Sequence, residues 1–247
     1  MKTSFACLIL FFVFISCKKE AKLTFEPMEI AQKECADCPD VSISIPKAIE
    51  QTKLTRTINR TLREEIISLL LYDDDLEATT IEEAITSFTH GYIELKEEYA
   101  DETAQWEAKI DGKKVYEDDA LLTIELNAYL FTGGAHGYGS KRFLNFDKKK
   151  GTELENWQLF KDLENFQKYA ETEFRIKENI PEGKPINSTG FMFESDSFYL
   201  PENIGLTKEG LKLLYNQYEV ASYADGPIEI TFPYNDVKKF LAKKIKS

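Results

Sequence analysis

Leu122-Thr-Ile-Glu-Leu-Asn-Ala-Tyr-Leu130 alternates apolar and polar residues without a break, and that two-residue period decides the fold. In an extended chain successive side chains point to opposite faces. Leu122, Ile124, Leu126, Ala128 and Leu130 therefore share one face, and Thr123, Glu125, Asn127 and Tyr129 the other. The same period holds before it at Trp106, Ala108 and Ile110, where Asp111-Gly112 predicts a hairpin turn. It holds again from Tyr138 to Phe146. These runs predict an antiparallel meander over about residues 103–147.

Upstream the period changes to three and four. Ile58, Leu62, Ile66, Leu69 and Leu70 predict a helix from about Thr55 to Tyr72, stopped by the anions Asp73-Asp74-Asp75. Ile81, Ile85, Phe88, Tyr92, Leu95 and Tyr99 predict a second, started by a capping box of Thr80 and Glu83. Val41, Ile43 and Ile45 read as a strand closed by Pro46. Downstream, Leu163, Phe166, Ala170 and Phe174 share a helix face, and Pro181 to Ser197 is a turn-rich connection. Short strands are expected at Phe198–Leu200, Leu211–Tyr215 and Ile228–Phe232, then a last helix carrying Val237, Phe240 and Leu241. Helices and strands in separate runs predict an α+β fold. The expected architecture is an antiparallel meander sheet packed with amphipathic helices, in two consecutive, intimately packed subdomains.

The N-terminus is of another kind. Lys2 precedes the apolar run Phe5–Ile15, which is too short to cross a bilayer and reads as a signal peptide over residues 1–16. Ser16-Cys17 resembles the bacterial lipobox, so Cys17 is expected to be acylated and to hold the chain at a membrane in the cell envelope. Residues 17–39 then read as a lipid-anchored tether carrying Cys35 and Cys38. Outside the cytoplasm a nearby pair oxidises, so a structural disulfide is preferred over a metal site or a redox centre.

Of 247 residues, 43% are hydrophobic and 13% aromatic, enough for a core. Formal net charge is −12, and −13 once Lys2 leaves with the leader. Such a balance repels phosphate backbones, and no basic stripe is present, so nucleic-acid binding is not expected. It suits solubility and also attracts cationic partners.

The densest anomaly is Thr132-Gly-Gly-Ala-His-Gly-Tyr-Gly139. It joins two strands and lacks a Gly-Lys-Ser/Thr ending, so it is no phosphate loop. Gly133, Gly134, His136, Gly137 and Tyr138 are the candidate ligand-binding residues. The competing reading makes the loop a wide connection with His136 hydrogen-bonded into the core. Catalysis has little support, with no nucleophile elbow and only two histidines, His90 and His136. No zinc spacing occurs, and Asp73-x-Asp75-x-Glu77 lacks the glycine and distal Glu of a calcium loop. No metal, cofactor or catalytic residue is expected.

On these residues the chain resembles the domain-of-unknown-function family shared by the extracellular part of the anti-sigma factor RsiV and the non-catalytic region of the peptidoglycan deacetylase PdaC. Residues 40–131, opening with Val41-Ser-Ile-Ser-Ile-Pro46, resemble the PdaC-associated part. Residues 132–247 resemble the RsiV part through Thr132-Gly-Gly-Ala-His-Gly137, Phe146-Asp147 with Gly151, Leu206-Thr-Lys-Glu-Gly210, Tyr218-Glu-Val-Ala221, Gly226 and Pro233-Tyr234. The resemblance implies a binding module without catalysis of its own, for lysozyme-like cationic proteins or cell-wall glycans. A wall hydrolase or deacetylase using His136, and a structural envelope lipoprotein, are the alternatives.

Overall fold

Six strands make the first sheet, in the order β1 (Phe25–Gln32), β2 (Asp40–Ala48), β3 (Glu107–Glu117), β4 (Leu121–Phe131), β5 (Tyr138–Asp147) and β6 (Thr152–Leu154). The computed structural model describes residues 23–32, 38–72, 77–99 and 104–245. The expected leader, Cys17, Cys35 and Asp73 to Asp75 lie outside the described residues. All neighbouring strands are antiparallel except β2 and β3, which run parallel. A parallel pair needs a long crossover, and the helices α1 (Lys53–Leu70) and α2 (Ile81–Glu98) supply it. The expected meander is therefore β3 to β6 within a mixed sheet.

Thr52 caps α1 by accepting the Thr55 amide at 3.1 Å, so the helix begins at Lys53, two residues before the predicted start. Thr80 and Glu83 cap α2 reciprocally, as expected. The apolar faces of both helices cover one face of the sheet. Ile58, Leu62, Ile66, Ile85 and Phe88 meet Val41, Ile43, Ile110, Ile124 and Phe146 in a single core. Gly91 lets the helices close up, since a Cβ there would lie 2.2 Å from the Tyr72 ring.

Three local expectations fail. Asp111-Gly112 lies inside the continuous strand β3. Gly112 serves a close approach, not a turn: a Cβ there would sit 3.1 Å from Pro46 Cδ and 3.2 Å from Ile45 Cγ2. The turn comes at Asp118, whose Oδ1 accepts the amides of Ala120 at 2.7 Å and Leu121 at 2.8 Å. Residues 25–32, read as part of the tether, form the edge strand β1. Pro46 does not end β2 but lies within it, opposite Pro27.

The second core lies on the other face of β4 and β5. It gathers α3 (Leu163–Lys177), a meander of β7 (Asn203–Leu206), β8 (Leu211–Tyr215) and β9 (Ile228–Phe232), and the short α4 (Tyr234–Val237). Phe166, Ala170 and Phe174 of α3 are fully buried. Phe198–Leu200 is irregular, and the strand falls instead at Asn203–Leu206. The last helix ends at Val237, after which Leu241 pairs with Phe160.

The face of β4 that carries Thr123 and Glu125 is covered as well as the apolar one, since every residue from Leu121 to Leu126 is buried. Strand β7 covers that face. Gly205 admits the Phe143 ring, which would stand 2.3 Å from an added Cβ. Thr123 donates to Asn145 Oδ1 at 2.8 Å, and Asn145 Nδ2 donates to the Ile204 carbonyl at 2.7 Å. Buried polar groups survive only when bonded, and this chain of bonds stitches one sheet to the other. Among the described residues no helix is long and apolar enough to cross a membrane.

Candidate functional site

The glycine loop between β4 and β5 meets the β8–β9 connection at one end of the molecule. Gly133 (φ 98°) and Gly134 (φ 82°) take left-handed backbone that other residues rarely adopt. Their turn carries His136 to the surface. The imidazole stacks on Tyr223, with ring centroids 3.7 Å apart and planes 15° off parallel. His136 Nδ1 lies 3.3 Å from the Gly137 carbonyl, which also accepts the Tyr223 hydroxyl at 3.1 Å. Gly137 itself is buried, and a Cβ there would collide with the Tyr129 ring at 2.5 Å.

Four more bonds lock the two segments. The Tyr138 hydroxyl donates to the Gln217 carbonyl at 3.4 Å, and the Gly139 amide to Gln217 Oε1 at 3.3 Å. Asn216 reads the backbone of Lys141 through both amide atoms, at 2.8 Å and 3.1 Å. Tyr218 sits at φ 67° and sends its ring outward, 5.6 Å from Tyr223. Tyr129, His136, Tyr138 and Tyr218 are all exposed. The result is an open aromatic surface on a bonded backbone frame.

The charges beneath it are mixed. Burial pushes the Glu219 carboxyl up, against the Asn216 bonds that favour its ionised form, and Glu202 adds to the rise. Burial and the nearby Glu219 raise the Tyr138 hydroxyl. Glu229 lies 2.7 Å from both Lys141 and Lys212, and although burial opposes it, the two ammonium groups hold its carboxyl low. His136 has no carboxylate partner among the described residues; its Nδ1 faces only the Gly137 carbonyl, so no acidic group is there to stabilise an imidazolium. Among the described residues no group of three or more His, Cys, Asp or Glu is placed to hold a metal.

All five predicted loop residues, Gly133, Gly134, His136, Gly137 and Tyr138, therefore meet in one place, with His136 exposed and not tied into the core. Tyr218 and Tyr223 complete the surface and were not singled out as site residues. Tyr218 stood within the Tyr-Glu-Val-Ala pattern of the resemblance, whereas nothing local marked Tyr223. His90 lies apart, on the wet face of α2, 3.6 Å from Glu94. Of the expected cysteine pair, only Cys38 lies among the described residues.

Two family models match. Residues 32–138 match the model described as deacetylase PdaC, and residues 155–235 the one described as a protein of unknown function, DUF3298. Among solved structures the chain is similar to a DUF3298 member from Bacteroides fragilis, at TM-score 0.67 and 21% identity, covering 91% of this chain and 95% of that one. A DUF3298 protein from Pseudomonas aeruginosa aligns at TM-score 0.63 and 21% identity, covering 90% and 95%. No curated protein matches.

Proposed function

We propose, from the premise that the chain belongs to the PdaC-like and DUF3298 family, that it is an exported envelope lipoprotein that binds cell-wall glycan without catalysis of its own. The observation that carries the reading is the open surface of Tyr129, His136, Tyr138, Tyr218 and Tyr223. Aromatic faces offer apolar area with a polar tip and lose little side-chain entropy on binding. Such faces suit the C–H faces of sugar rings, while the hydroxyls and the His136 nitrogens suit their edges. The deacetylase or hydrolase reading of His136 is weaker, because the imidazole is stacked and has no acidic partner among the described residues.

Co-sedimentation with insoluble peptidoglycan tests it. Wild type is expected in the pellet and the Tyr218→Ala/Tyr223→Ala chain in the supernatant. Equal pelleting of the two removes this site. A second reading, a lysozyme-like cationic protein as ligand, is favoured by the net charge of −12. Capture of lysozyme that fades from low to high salt would support it over glycan.

Export and anchoring are part of the proposal. The leader, lipidation of Cys17 and a Cys35–Cys38 disulfide rest on the sequence, in which an exported cysteine pair is expected to oxidise. Mass spectrometry of the mature N-terminal peptide reads all three. A peptide that begins at Met1, or that carries no fatty acid, removes the anchor.

A further inference from the structure

Met28 and Ile30 face inward from the edge strand β1 yet are only half-buried. Helices α1 and α2 pack over β2 to β5 and leave the inner face of β1 partly uncovered. An open groove of about 310 Å³ results, walled by Met28, Ile30, Ile45, Leu62 and Ile81. That is the lower end of the size range for small-molecule sites, and it suits one narrow apolar ligand. The walls are fixed. Gln32 of β1 donates to Thr89 of α2 at 3.0 Å, and Asn59 is committed to the Ala48 amide and carbonyl at 2.9 Å and 2.8 Å.

The rim is charged. Lys47, Arg63 and Glu82 border the groove and all three are exposed. Neither Lys47 nor Arg63 has a carboxylate partner among the described residues. In a chain of net charge −12, two cations against the single carboxylate Glu82 give this opening a rim of net positive charge. Apolar walls require an apolar ligand body, and the rim favours an anion at its end.

We propose that this groove binds a single fatty-acyl chain with an anionic head, the chain lying along Met28, Ile30 and Leu62 and the head facing Lys47 and Arg63. Each methylene taken from water contributes about 0.8 kcal/mol, so the chain supplies the affinity. The two cations supply the choice of head. This site is separate from the aromatic surface, and either can fail without the other.

Isothermal titration of the full chain with sodium dodecanoate, below its micelle-forming concentration, tests the proposal, with dodecan-1-ol as the uncharged control. One saturable dodecanoate site is expected. Met28→Trp fills the groove from an edge strand and should weaken both ligands at least tenfold. Lys47→Glu with Arg63→Glu should weaken dodecanoate roughly tenfold and leave dodecan-1-ol within about twofold, as expected for two partly exposed charge contacts. The lipid-free Cys17→Ser chain, run alongside, separates a free fatty acid from the chain's own acyl group, which would block the groove only in the lipidated protein. Absence of saturable binding to the Cys17→Ser chain overturns the proposal. So does a folded Met28→Trp chain that binds as wild type, or a charge reversal that affects both ligands equally. If Met28→Trp does not fold, the charge-reversal comparison decides alone.

Discussion

The His136 imidazole lies flat against the Tyr223 ring, 3.7 Å between centroids, and this contact joins the first sheet's glycine loop to the second sheet's β8–β9 connection. Stacked aromatic pairs contribute about 0.5–1.5 kcal/mol beyond area burial. The pair is thus both a clasp and part of the open surface. These two roles separate under mutation. His136→Ala removes an exposed ring and should change stability by less than about 1 kcal/mol. Tyr223→Ala also removes the hydroxyl that bonds Gly137, and should cost about 2 kcal/mol. Both should lose glycan binding. Paired urea melts and pelleting assays check this; a His136→Ala chain that melts early but binds normally would make the histidine a structural residue.

Glycine positions should rank by what an added methyl meets. At Gly134 nothing lies within 4 Å, so alanine there carries only left-handed backbone strain, about 1 kcal/mol. At Gly205 the methyl meets the Phe143 ring, which must turn within the interface between the sheets. At Gly210 it meets the Phe232 carbonyl at 2.2 Å, at φ 152°, and a backbone oxygen cannot swing aside. The predicted order of lost stability is Gly210→Ala, then Gly205→Ala, then Gly134→Ala, with the first above about 3 kcal/mol. Thermal unfolding of the three chains reads the order. A Gly210→Ala chain as stable as Gly134→Ala would refute it.

Periodic stretches were the legible part of this fold. Helices α1, α2 and α3 and strands β4 and β5 were readable because Ile58, Phe88, Phe174, Ile124 and their neighbours each repeat with one unambiguous period. The hairpin at Asp111-Gly112 misled because a glycine permits either a turn or a close neighbour, and only tertiary packing chooses. Strand β7 escaped notice because Asn203-Ile-Gly-Leu206 is short and its glycine exists to admit Phe143. The burial of Thr123 and Asn145 was not legible, since a local pattern cannot show that a later strand will cover and bond them. The glycine loop announced the site, but its aromatic partners Tyr218 and Tyr223 arrive from distant chain through contacts that sequence order does not encode.

Asp147 gives the stability a pH dependence of predictable sign. Its side chain is 1% exposed, and Oδ2 lies 2.5 Å from Lys243 Nζ while Oδ1 accepts the amides of Lys149 and Lys150 at 3.0 Å. Burial alone would raise this carboxyl; the Lys243 bond and the two amides outweigh it and hold it low. A depressed folded-state value contributes stability above the unfolded value, near pH 3.9, that is lost as pH falls below it. Asp147→Asn should therefore cost about 2 kcal/mol at pH 7, a charged hydrogen bond's worth, and the gap from wild type should narrow in acid. Glu65 and Glu153, raised chiefly by burial, push the other way but are common to both chains and cancel in the difference. Urea midpoints of the two chains at pH 7 and pH 3 measure it. A gap that stays constant would remove the ion pair from the account.

Trp106 is the most costly polar placement in the first core. It is 1% exposed, with Tyr72 and Phe88 each at 5.2 Å and Tyr92 at 5.8 Å, and its Nε1–H has no hydrogen-bond partner among the described residues. The indole is held for its area and shape, while its donor is a desolvated liability of about 1–3 kcal/mol. Trp106→Phe keeps an aromatic ring among three others and removes the orphaned donor, so the lost volume is largely offset. The expected net loss is about 1 kcal/mol, against about 3–5 kcal/mol for Trp106→Ala, which opens a cavity that α2 cannot collapse to fill. The only other tryptophan, Trp157, is 62% exposed and can report unfolding in neither variant, so circular dichroism is the suitable probe. If Trp106→Phe proves as damaging as Trp106→Ala, the indole nitrogen is bonded in solution and the polar cost assigned to it here disappears.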